Sequence, residues 1–83
     1  MELNSNCKVW YTKSKTTNKR GDFIDILIVD TNLKTFEITL NVPLENKAIY
    51  DQNNLGVTVI EVTRFTFDFT TKVLIKNGYK QIN

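Results

Sequence analysis

The sequence predicts a mainly β domain: a small barrel or a curved antiparallel sheet of about five to seven strands. Three observations carry this. Residues 57–70 end in a strict alternation, with Phe65, Phe67 and Phe69 on one side and Arg64, Thr66, Asp68 and Thr70 on the other. Period two is the mark of a strand with one buried face. Phe23–Val29 is apolar at nearly every position, as a central strand with two covered faces should be. Short polar clusters rich in Asn, Asp and Gly separate these runs, which is turn chemistry. One short helix near residues 43–54 would make the class α+β.

The elements follow in order. Cys7–Lys13 alternates, with Cys7, Val9 and Tyr11 on one face and Lys8, Trp10 and Thr12 on the other. Ser14–Gly21 is polar, ends in Gly and reads as a loop. After the Phe23–Val29 strand, Asp30-Thr31-Asn32 is a short hairpin turn. Leu33–Val42 then places Phe36, Ile38, Leu40 and Val42 on one face, and a one-residue slip would expose all of them. Pro43 suits a first helical turn, Glu45 the positive end of a helix dipole, and Asn53, Asn54 or Gly56 a helix stop.

The 57–70 stretch poses a length problem. As one straight strand it would span about 46 Å, against a diameter of about 30 Å for a domain this size. Both faces are apolar in Val57–Val62, and only one from Phe65 onward. The pattern changes at Glu61–Arg64, which predicts a bulge or bend there. The rival arrangement is a straight arm that pairs two copies into a homodimer. Lys72–Lys76 reads as a last strand. Asn77-Gly78 is a type I′ hairpin signal that would bring Tyr79–Ile82 back beside it.

Composition narrows the class of function. With 83 residues there is room for a single domain, residues 1–83. The apolar share is 41% and the charged share 24%, as in folded soluble domains. No apolar run could span a membrane, and the first residues lack a signal-peptide pattern, so a cytoplasmic product is expected. The lone Cys7 fits a reducing compartment. Abundant Asn, Lys, Thr and Ile give the chain an AT-rich, phage-like composition.

The absence of His removes Ser-His, Cys-His and His-ligand metal chemistry. The three scattered glycines form no phosphate loop. Cys7 beside Lys8 reads as a small buried hydrophobe rather than a nucleophile. Asp25 interrupts the apolar central strand, and the first expectation is that it sits near a sheet edge or faces solvent beside Phe23; if buried it needs a cation, and Arg64 or a Lys could supply one. Glu61 carries the same ambiguity. No enzyme, cofactor or metal is expected.

Binding is what remains. Residues 1–21 hold five basic groups and one acid, a local +4, while the rest of the chain sums to −2. Trp10 leads into a loop carrying Lys13, Lys15, Lys19 and Arg20, and alternation would turn Trp10 outward if Val9 and Tyr11 face the core. These five residues are the candidate site. The reading is a non-enzymatic module that occupies a protein partner, as an adaptor, inhibitor or accessory subunit. The alternative is single-stranded RNA or DNA, with rings stacking on bases, cations tracking phosphates, and Lys72, Lys76 and Lys80 extending the patch. The three phenylalanines of 65–69 read as core.

If the basic loop holds nucleic acid, K15E/K19E should abolish binding of mixed-sequence single strands with no loss of thermal stability. Titration by Trp10 fluorescence should give a log–log salt slope near −3 for the unmutated protein, about what four phosphate contacts predict. Undiminished affinity in the variant would remove the loop from the site.

Overall fold

A computed structural model describes residues 7–18, 21–47 and 58–83. Five strands form one open sheet in the order β4-β1-β2-β3-β5: β1 (Cys7–Asn18), β2 (Gly21–Asp30), β3 (Thr35–Pro43), β4 (Thr58–Glu61) and β5 (Lys80–Gln81). A helix, α1 (Arg64–Lys76), joins β4 to β5. β1, β2 and β3 are antiparallel neighbours, while β4 pairs parallel to β1 and β5 parallel to β3. The sheet is therefore mostly antiparallel, mixed at both edges, and not closed into a barrel.

β2 is the central strand its composition predicts, and Ile24 to Val29 are all buried. Its alternation divides the core into two layers. Ile24, Ile26 and Ile28 join Val9, Tyr11 and Val42 on one face, where Leu44 also packs. Leu27 and Val29 join Phe36 and Phe67 on the other, with Trp10, Ile38, Val62, Leu74 and Tyr79 around them. A sheet apolar on both sides needs cover on both. The second layer lies beneath α1.

The expected strand over residues 57–70 is the main correction. β4 ends at Glu61, and the change of pattern at Glu61–Arg64 is the start of a helix, not a bulge. Local chemistry explains this. The Thr63 hydroxyl caps the helix by accepting from the Thr66 N–H at 3.2 Å. Val62 and Phe67, which flank this cap, both pack in the second layer, as a hydrophobic staple requires. Lys72–Lys76 continues the helix and is not a strand. Asn77-Gly78 closes it and makes no hairpin: the Tyr79 N–H donates to the Leu74 carbonyl and the Gly78 N–H to that of Ile75. This is a Schellman ending, with Gly78 at φ 86°. A Cβ on Gly78 would meet nothing within 4 Å, so backbone angle alone requires the glycine.

Length explains the same outcome globally. β4 and β5 lie on opposite edges, four strand spacings or about 19 Å apart. The thirteen residues of α1 reach about 20 Å as a helix, and would reach about 43 Å as a strand. Only the helix fits the crossing. The long arm that a strand-paired homodimer would need is not formed.

Two smaller expectations also change. Ser14–Gly21 was expected as a loop, but β1 runs on to Asn18, with a register shift between Lys13 and Thr17 and Asn18 opposite Gly21. Of the expected helix at 43–54, the described residues show a 3-10 turn, Leu44–Asn46, followed by a helical Lys47, and residues 48–57 lie outside the described residues. The clean alternation of β3 breaks at Leu40–Asn41. Ile26 pairs with Thr39 but Ile24 with Val42, so one extra residue sits in β3. Phe36 and Ile38 face α1, whereas Val42 is carried to the opposite layer. Asn41 takes the left-handed conformation at this bulge, with φ 57°.

β5 has two residues, yet its ladder is longer. The Ile82 N–H donates to the Phe36 carbonyl at 2.9 Å. The Asn83 side-chain amide then pairs with both backbone groups of Ile38, at 3.1 and 2.7 Å. Asn83 thus copies a strand residue with its side chain. Among the described residues no helix is long and apolar enough to cross a membrane.

The bulge gives a test. Asn41→Gly should leave stability unchanged within about 0.5 kcal/mol, while Asn41→Val should cost about 1–2 kcal/mol in urea denaturation. Equal midpoints for both variants would show that the left-handed angle is not needed.

Candidate functional site

The site is built on α1. Its inward side carries Phe67, the one fully buried residue of the helix, with Leu74, Thr70 and Thr71 half-buried beside it. At about 100° per residue, Phe65 and Phe69 lie about 200° from Phe67, on the outer side. Phe65 is 77% exposed and Phe69 57%. Their rings stack on each other, with centroids 6.1 Å apart and planes 11° from parallel. Val73 follows at the next four-residue step, 38% exposed. Lys72 and Lys76 are exposed on the same outer side.

Alternation had placed all three phenylalanines in the core. Only Phe67 is there. The misreading is physical: F-T-F-D-F satisfies period two, but in a helix residues two apart point to opposite sides. The available counter-signals were the Thr63–Thr66 cap, the Asn77-Gly78 stop and the Arg64–Asp68 spacing of four.

What holds this face outward is an ion pair. Asp25 is buried in the central strand opposite Thr12, itself buried. One carboxylate oxygen accepts from the Arg64 guanidinium, the other from the Asn41 N–H at 3.0 Å. Asp25 is thus neither at a sheet edge nor facing solvent, as first expected, and Arg64 is the cation that its burial requires. The Arg64 side chain is 38% exposed and that of Asp25 11%, so the carboxylate sits inside and the cation bridges to water. The guanidinium lies 5.1 Å from the Phe67 ring centroid and 3.6 Å from the Asp68 carboxylate. The hydrogen bond to Asp25 raises the Arg64 pKa, against a smaller opposing effect of burial. The first residue of α1 is thus tied to the middle of the sheet.

An open groove of about 480 Å³ runs along one flank of α1, between it and β3. Ile38, Leu40 and Phe67 form its apolar lining, with Arg64, Asp68 and Lys72 as polar neighbours.

The residues singled out from sequence fall differently. Trp10 is on the face opposite Val9 and Tyr11, as alternation requires, but that face is also core. Its ring is half-buried against the layer under α1. Lys13 and Lys15 belong to β1, and their side chains lie outside the described residues, as do Lys19 and Arg20 altogether. The structure brings together Phe65, Phe69, Lys72 and Lys76, and the two lysines are among those expected to extend a basic patch. Compared with protein-family models, curated proteins and solved structures, the chain matches none.

The asymmetry of the ion pair is testable. Arg64→Ala strands a buried carboxylate and should cost about 2–3 kcal/mol, discounted because the guanidinium is partly wet. Asp25→Ala frees Arg64 to turn into water and should cost less, about 1 kcal/mol. A larger loss for Asp25→Ala in urea melts would contradict this account.

Proposed function

We propose that this chain is a non-enzymatic binding module that works by occupying a protein partner through the outer face of α1. The observation that carries the reading is the stacked, exposed pair Phe65 and Phe69. A buried phenylalanine is worth about 1.5–3 kcal/mol relative to an exposed one. Two of them held in water on one helix represent stabilisation that an interface would recover. Neither can be taken inward, because the layer beneath α1 is already filled by Trp10, Leu27, Val29, Phe36 and Phe67. The helix is fixed at its start by Arg64 and at its end by Gly78, so the rings are presented on a rigid support. Little ordering entropy remains to be lost on binding. Aromatic anchors at the centre of a contact patch are the usual carriers of binding energy.

The test compares the unmutated protein with F65S/F69S as bait in a nuclease-treated lysate of the cells that make it. The expected result is a discrete protein partner whose recovery falls at least about tenfold with the variant. Its melting temperature should stay within about 4 °C, as for an exposed site. Identical capture by both baits would overturn the proposal.

A further inference from the structure

We infer that the partner presents an acidic amphipathic helix to this face; the inference rests on the binding reading above and adds the partner's chemistry. The outer side of α1 consists of two adjacent rows with four-residue spacing. One is apolar: Phe65, Phe69 and Val73. The other is charged: Asp68, Lys72 and Lys76. Rows with this spacing are the ridges that interdigitate when two helices pack. The apolar row therefore suits another helix better than an extended strand.

The charged row sets the sign. Asp68 lies 3.6 Å from Arg64 on its own helix, so its charge is locally answered. Among the described residues neither Lys72 nor Lys76 is in a salt bridge. The outer face thus offers two phenylalanines, a valine and two positive charges that no described carboxylate answers. A helix with an apolar row flanked by glutamate or aspartate complements all of them. A second copy of this chain packed with two-fold symmetry would set Lys72 against Lys72 at the axis, which costs energy. A membrane surface is the weaker match, because anionic lipid recognition uses clusters of about four to eight basic residues.

The experiment uses two synthetic helical peptides, identical in their leucine row, one flanked by glutamates and its twin by lysines. Each is fluorescein-labelled and titrated with the full-length protein by anisotropy. The acidic peptide should bind at least about tenfold tighter than its twin. That preference should weaken with salt and invert in K72E/K76E, while F65S/F69S should lose both peptides. Equal affinity for the two peptides, or an unchanged preference in K72E/K76E, would overturn the acidic-partner inference and leave the binding face standing. If neither peptide binds while F65S/F69S still loses its partner in the lysate experiment, the helical partner is overturned and the proposed function survives. Sedimentation with phosphatidylserine vesicles in place of peptide binding would move the face to lipid. A dimer by light scattering that F65S/F69S dissolves would assign the face to self-association; either result overturns the inference.

Discussion

One buried carboxylate organises this molecule. Asp25 occupies a position on the central strand where its neighbours are Ile24 and Ile26, both almost fully excluded from water. A carboxylate there is costly unless both oxygens are answered. Arg64 answers one and the Asn41 N–H the other. Each answer has a structural consequence. Arg64 brings the first turn of α1 down onto the middle of the sheet. Asn41 reaches Asp25 at the bulge of β3, where the extra residue sends Val42 to the opposite layer. The ion pair thus links helix, central strand and edge bulge.

The helix so anchored has more apolar residues than inward positions. Its inner side needs Phe67 and Leu74, which complete a layer shared with Trp10, Val29 and Phe36. Phe65, Phe69 and Val73 are surplus to that packing. Exposed single apolar residues are ordinary on a folded protein, but two stacked rings on one rigid helix form a contiguous patch. The functional proposal stems from this mismatch between what the core can accommodate and what the helix carries.

Much of the sheet was legible in the chain. Near-continuous apolarity marked β2 as central, because only a strand covered on both faces tolerates it. Asp25 stood out as an anomaly with Arg64 among its candidate partners. The helix was not legible by periodicity, since F-T-F-D-F fits a strand better than a helix. What overrode the pattern was connection length and capping: β4 and β5 lie on opposite edges, and only a helix of this length spans between them. With that correction the outer side of α1 emerges as a candidate site, while the side chains of the basic run at 13–20 lie outside the described residues.

The sequence by itself determined the antiparallel centre of the sheet, its two apolar layers and the turn at Asp30, because alternation and local turn chemistry act over a few residues. The tertiary structure decided which strands take the edges, that residues 64–76 cross as a helix, and that Phe65 and Phe69 point outward. Those outcomes depend on how far apart β4 and β5 stand and on which buried group Arg64 must neutralise. Both are relations between segments distant along the chain; the local cap at Thr63 and stop at Asn77-Gly78 mark the ends of the helix but not the crossing it makes or the face it turns outward.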